Sequence, residues 1–361
     1  VGWMTTEADV SCRLCEYDFS GIEAVLTGMF LWKHGFSSDG AKQYIRLARL
    51  GMHAAVTALK VGKPVDLTLA DDQVKPALDA IKKAYPREYD TSKRTVHANN
   101  FGMSTYGMVE KFPEFFPTLK AAEQFQRLYY ALAPDLPKWH HALRKQARDA
   151  GYLGGVAKPS IQPSIWTHPY GYRHWFWDVQ NFQPCNEFTA RKWHADPTRA
   201  HRIVYMHGRP FKVRPGGDAN RVIAFYPQST AAGRLKEVEN RLFLPWSDDY
   251  IGDCYFGRTP LLGPIHDSLL LHVPNRCVDK VTEIVARVMQ EPSRYLPIPP
   301  AWGWGDYLPI GVAAKIGRNW GEMEDLKIQQ WVPSAGADNP VLPRESEGEY
   351  DDWQELARSV A

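Results

Sequence analysis

The stretch EYDFSGIEAV, residues 16–25, decides how the rest of the chain reads. Residues 10–19 have the composition of a strand and carry an acid, Asp18, at the downstream end. A helical pattern opens at once and predicts a helix over 21–33. Ser20 stands at the expected N-cap and Glu23 at the third helical position, the S-x-x-E of a capping box. Asp is poorly suited to an apolar strand unless something partners its charge, so Asp18 needs a reason.

Working outward, 41–60 reads as one helix with Gly40 and Gly62 near its ends, and 71–86 as another closed by Pro86. Residues 118–150 read as a long helix broken at "PDLP" and ending at Gly151. Between about 154 and 222, Pro, Gly, Trp, His and Tyr cluster with no lasting helical period, which predicts loops and short strands. A helix is expected again at 227–243, then two short strands meeting at a turn in "TPLLGPIHDSLLLHVP", 259–274. A helix at 276–291 and a strand at 306–316 follow. The Pro-, Gly- and acid-rich stretch from 333 predicts a mobile tail.

The chain has 361 residues, 44% hydrophobic and 23% charged, the composition of an ordinary folded protein. The net charge of +2 gives no global basic signal, so a nucleic-acid surface has to be a local patch. No run of 18 apolar residues occurs, and no secretory leader is evident at the start, so no membrane association and a cytoplasmic location are expected. Five cysteines suit a reducing interior. Cys12 and Cys15 form a lone C-x-x-C, better read as buried strand thiols than as a metal site.

Three patches carry chemistry. Lys93, His97 and Phe101 recur at i, i+4, i+8 and share one helix face. A cation, an imidazole and an aromatic ring in a row suit a nucleotide, with charge for phosphate and flat surfaces for sugar and base. Taken alone, such a row is more often a solvated lysine above a buried aromatic. Asp267, in the turn "HDS", interrupts an apolar strand as Asp18 ends one, 249 residues away. If neighbouring strands bring these acids together, they can share divalent cations; otherwise each makes a local turn hydrogen bond.

In this order the patches resemble the polymerase motifs of the family A (Pol I-like) DNA polymerases. "YDFSGIEA" is similar to motif A, "KRTVHANNFGMS" to motif B and "IHDSLLLHVP" to motif C. "MHAAVTAL", "AEQFQRLYYALAPDLPKWHHALRKQARDAGYL", "AFYPQSTAAGRLK" and "YLPIGVAAKIGRNW" resemble the segments around them. The likeness runs from about 12 to 322 with a longer insert near 155–220.

The resemblance implies a mixed α/β (α+β) fold, a polymerase palm with an antiparallel sheet plus helical fingers. Palm segments would span 1–33 and 223–332, fingers and the following helix 34–150, an insert 151–222 and a flexible tail 333–361. It implies Asp18, Asp267 and the Phe19 carbonyl as ligands of two Mg²⁺ ions, for which Mn²⁺ can substitute. Lys93 would meet the triphosphate. Glu23, His97, Phe101, Gly102, Ser20, Gly21 and Ile22 would line the nucleotide site, with Glu23 excluding a 2′-hydroxyl. His266 and Gln228 would touch the primer-template, joined by Arg144 and Lys145 from "KWHHALRKQARD", where His140 and His141 are expected at the surface. The substrates implied are dNTPs on primer-template DNA.

The departures are specific. Tyr89 stands where the family places an arginine, with Arg87 out of register; His97 replaces Phe or Tyr, and Ser268 replaces a glutamate. Only 17 residues precede Asp18, which raises the expectation of a second chain carrying thumb and exonuclease, as in a split, phage-like polymerase. A single-subunit, phage-type RNA polymerase shares the K-R-[ST]-V start and the H-D-S turn, but Glu23 would oppose a ribose. A non-catalytic nucleic-acid-binding remnant is the third reading.

Overall fold

The computed structural model describes residues 12–150, 164–195, 203–251 and 261–329. Strand β1 (Cys12–Phe19) lies at the middle of a five-stranded antiparallel sheet. One neighbour is β8 (Ser268–Pro274), which forms a hairpin with β7 (Leu261–Ile265); the other is β9 (Val312–Gly317), edged by β10 (Met323–Leu326). Register sets Asp18 opposite Ser268 on one side and Ala313 on the other. Period-two alternation turns Cys15, Tyr17 and Phe19 into the core and leaves Glu16 and Asp18 half-buried on the other face.

Helix α11 (Val278–Gln290) packs against β1, β8 and β9, and the Tyr17 hydroxyl meets the Thr282 hydroxyl at 2.7 Å. Behind it runs α10 (Arg221–Phe243), 23 residues with Pro227 inside. Arg234 of α10, 1% exposed, pairs with Glu237 at 2.9 Å. It also donates to the carbonyls of Val288, Met289 and Glu291 at 2.8, 3.1 and 2.7 Å. The last turn of a helix leaves carbonyls without partners, and one buried guanidinium satisfies those of α11 while tying it to α10.

Helix α1 (Ile22–Lys33) is buried along most of its length, between α10 and α2 (Ser38–Leu50). Helices α3 (Met52–Lys60), α4 (Asp71–Ala84), α5 (Pro86–Asn100), α6 (Thr105–Lys111), α7 (Leu119–Leu132) and α8 (Leu136–Ala150) complete a helical lobe. The insert carries hairpin β2–β3 (Ser164–Thr167, Arg173–Phe176). A second small sheet, ordered β4-β6-β5, contains β4 (Gln180–Pro184), β5 (Ile203–Met206) and β6 (Arg209–Pro215), with helix α9 (Glu187–His194) against it. The mixed α/β class with an antiparallel central sheet is the one expected. No helix among the described residues is long and apolar enough to cross a membrane.

Several local expectations are corrected. Ser20 does not cap α1: Gly21 holds a left-handed conformation at φ 64 and its carbonyl accepts from Ala24 and Val25, while the Ser20 amide donates to the Gly311 carbonyl. The helix expected over 41–60 divides at Gly51, whose φ of 137 no helix accommodates. Pro86 opens α5 rather than closing α4, because its missing N–H costs nothing at a first helical position. Helix α10 starts six residues early, α9 was not expected, and β9 starts at Val312 rather than 306. Cys254, Gly151 and the tail from 333 lie outside the described residues.

Candidate active site

The two acids converge. The turn between β7 and β8 consists of His266 and Asp267, since Ile265 pairs with Ser268. His266 takes φ 57, uncommon for a residue with a side chain. The Ser268 hydroxyl donates to the Ile265 carbonyl at 2.9 Å, closing the turn. The Phe19 amide donates to the Asp267 carbonyl at 3.2 Å, so the tip of the turn is stitched to the end of β1. Asp18, paired in register with Ser268, thus stands next to Asp267, and each carboxyl affects the other's ionisation.

That proximity has an electrostatic cost. Burial, then the Asp267 charge, push the Asp18 carboxyl up to about 7, against a weaker opposing pull from Lys315. Burial raises Asp267 as well, opposed in part by His266 and His97. Two adjacent carboxylates cannot both ionise cheaply in a half-dry site. A divalent cation relieves that cost, and Mg²⁺ is characteristically held by one or two carboxylates plus substrate phosphates. The two carboxylates suit such an ion by their chemistry, while no group of three or more His, Cys, Asp or Glu side chains placed to hold one occurs among the described residues.

Glu23, on the first turn of α1, is turned toward this site. Gln228 of α10 lies beside its carboxyl, and its Oε2 lies 3.6 Å from His97 Nδ1. Burial raises its carboxyl, with His97 as the leading opposing influence. The expected hydrogen bond back to the helix start is therefore replaced by contacts across three helices. On α5, His97 meets the Phe101 ring edge-on at 4.9 Å, and Lys93 is exposed one turn before it. Lys93, His97, Glu23, Gln228, His266 and the two acids thus share one region.

Other positions behave differently from expectation. Ile22 is fully buried, so its side chain belongs to the core and not to a substrate surface, whereas Ser20 and Gly21 are exposed. His140 is 2% exposed and held to the Asn100 carbonyl at 2.8 Å, and burial lowers it to about 4. It is a core residue: α8 turns it toward the end of α5, while neighbouring His141 is exposed. Arg144 donates to the Gly102 carbonyl at 3.1 Å and to Asn220 Oδ1 at 2.7 Å, bracing the protein itself; Lys145 is exposed. Cys12 and Cys15 are buried in β1, and burial pushes the Cys15 thiol up to about 11. Such a thiol is poorly reactive.

The sequence reading missed the groups that hold the end of α5. Tyr44 and Tyr129 both reach Asn100 Oδ1, the former at 2.8 Å, and Gln126 donates to Asn99 Oδ1 and to the Met103 carbonyl at 2.8 Å each. The Asn-Asn pair before Phe101-Gly102 is the sequence signal for this anchor. His53 was also missed. It stands edge-on to Tyr89 at 6.2 Å, and burial, then Lys93 and His97, lower it to about 4. Its Nδ1 is buried without a hydrogen-bond partner among the described residues.

No family model and no curated protein matches the chain. Among solved structures it is similar to the POL domain of Pol1 from M. smegmatis in complex with DNA primer-template and dNTP. The sequence identity is 15% and the TM-score 0.44, over 86% of this chain and 40% of that chain. The chain therefore spans well under half of that relative's length.

Proposed function

We propose that the protein is a template-directed DNA polymerase, transferring a nucleotide from a dNTP to a primer 3′-hydroxyl. The observation that carries the reading is the meeting of Asp18 and Asp267, 249 residues apart in the chain, at the joined ends of adjacent strands. An oxygen-only pair of acids, poorly stable as two anions, is what nucleotidyl transfer asks of a palm. When bound, a pair of Mg²⁺ ions supplies charge neutralisation at the attacking and leaving oxygens of the phosphoryl group.

The remaining roles belong to the chain. Asp18, Asp267 and the Phe19 carbonyl hold cations. Exposed Lys93 meets the triphosphate as a point charge. Phe101, with His97 against its edge, offers a face to the nascent base pair, and Gly102 lets the backbone turn there at φ 71. Glu23, fixed between Gln228 and His97, walls off the sugar's 2′ position. That wall favours a DNA polymerase over an RNA polymerase. His266 and Gln228 face the primer-template, and residues 34–150 act as fingers against the palm sheet.

The test is primer extension with Mg²⁺ by the full chain, comparing dNTPs with rNTPs, alongside Asp18→Ala and Asp267→Ala. Extension with dNTPs that either substitution reduces by a factor of a thousand or more is expected. Equal use of rNTPs would favour an RNA polymerase. Function untouched by both substitutions would favour a non-catalytic nucleic-acid-binding protein.

A further inference from the structure

The hairpin β2–β3 has two faces of opposite character. Its inner face, Trp166, His174 and Phe176, packs on Phe225 of α10, with ring centroids 6.0, 5.9 and 5.6 Å away. Trp166 also lies 5.1 Å from Tyr226. The outer face carries Ile165 directly across from Trp175, with Thr167 across from Arg173. Ile165 is 54% exposed, Trp175 46% and, just past the strand, Trp177 65%. Hairpin stability does not require this, since the inner aromatic face already supplies the buried area. An exposed apolar face of this kind marks an interaction surface.

Charge points to the partner. Residues 164–215 contain eight Lys and Arg against three Asp and Glu, a surplus of five positive charges in a chain whose total is +2. Overall composition does not reveal this local surplus in the segment's sequence. Arg173 shares the outer face. At the other end, Arg221, 67% exposed, is held at 2.8 Å by Asp218, whose second oxygen accepts from the Trp177 and Asp178 amides at 3.1 Å each. The neighbouring Asn220 is bonded to Arg144, and Arg144 to the Gly102 carbonyl. A line of contacts thus runs from the tryptophans to the Phe101-Gly102 shoulder of the candidate active site.

We propose that this outer face is a stacking surface for single-stranded DNA, taking the unpaired template strand beside the site. The choice of DNA rests on the polymerase reading above. Unpaired bases stack on Trp175 and Trp177 without regard to sequence, and Arg173 and Arg221 meet the phosphates, the combination general single-strand binding uses. A duplex hides its base faces and gains little from the tryptophans.

The experiment is fluorescence anisotropy of a labelled twenty-residue oligothymidylate titrated with the full chain at low and moderate salt. Wild type, W175A/W177A and W175F/W177F are compared. Both tryptophans are exposed, so circular dichroism and thermal unfolding should be unchanged in the first variant. The expected result is binding at least tenfold weaker for W175A/W177A and near wild type for W175F/W177F. An alanine variant within twofold of wild type would overturn the inference. So would no oligonucleotide binding at all, or a self-associated wild type that W175A/W177A makes monomeric, which would assign the face to a second copy. Loss of binding in the alanine variant with no primer extension by wild type would instead remove the polymerase reading and leave the surface standing. Extension with tryptophan-independent binding would remove the surface alone.

Discussion

Replacing Asp18 with Asn should stabilise the metal-free protein in a pH-dependent way. Its carboxyl, ordinarily near 3.8, is raised to about 7 by burial and by the Asp267 charge. At 1.36 kcal/mol per pH unit, that penalises the ionised form by ~4 kcal/mol. The group is only half-buried, and solvent screening reduces the figure to roughly 2 kcal/mol. The folded state holds the proton more tightly than the unfolded state. The stabilisation is therefore complete below pH 4 and is lost as pH rises through about 7. Asn cannot ionise and escapes the loss. With an unfolding entropy of about 2 cal/mol/K per residue, D18N should melt about 3 °C above wild type at pH 8 in EDTA. At pH 4 the two should agree. Adding 10 mM MgCl₂ at pH 8 should raise wild type and leave D18N unmoved, because only a site with both carboxylates gains from the ion. Differential scanning calorimetry at both pH values reads all three quantities. A D18N protein less stable than wild type at pH 8, or an equal offset at both pH values, would refute the claim that two crowded carboxylates strain this site.

Arg234→Met should keep the packed volume but strand three carbonyls at the end of α11 and leave Glu237 with the Tyr170 hydroxyl in place of a cation, costing about 3 kcal/mol in urea denaturation. Gly21→Ala meets nothing within 4 Å and should cost only the left-handed backbone penalty, about 1 kcal/mol. Gly102→Ala carries the same penalty and brings its Cβ within 2.7 Å of both Arg144 and Ile223, so about 2–3 kcal/mol is expected, with weakened nucleotide binding in single-turnover assays. Glu23→Ala should raise rNTP incorporation relative to dNTP by about tenfold or more in single-nucleotide extension. An unchanged ratio would show that Glu23 does not face the sugar.

Much of this architecture was legible because it is local. Strand alternation around Asp18, the i, i+4, i+8 row of α5 and the apolar strands flanking His266-Asp267 each declare themselves within ten residues. The errors were also local in kind. They arose where a residue has two good uses and the surrounding fold chooses one. Pro86 can end a helix or begin one. Ser20 can cap, but Gly21 reaches the left-handed conformation that the tight strand-to-helix passage demands. Glu23 can close a capping box, but Gln228 and His97 arrive from other helices and engage it instead. His140 looked like a surface residue because its partner, the Asn100 carbonyl, is 40 positions away.

By itself the sequence determined the mixed α/β class, most strands and helices outside the insert and which side chains are candidates for chemistry, because backbone periodicity and residue chemistry are properties of short segments. Tertiary structure alone decided that Asp18 and Asp267 meet, that Glu23 turns to Gln228, that Arg144 braces Gly102 and that Trp175 and Trp177 remain in solvent. Those outcomes depend on strand register and helix packing between segments up to 249 residues apart. Register is fixed by which faces bury against which, and no short window of the chain contains both faces.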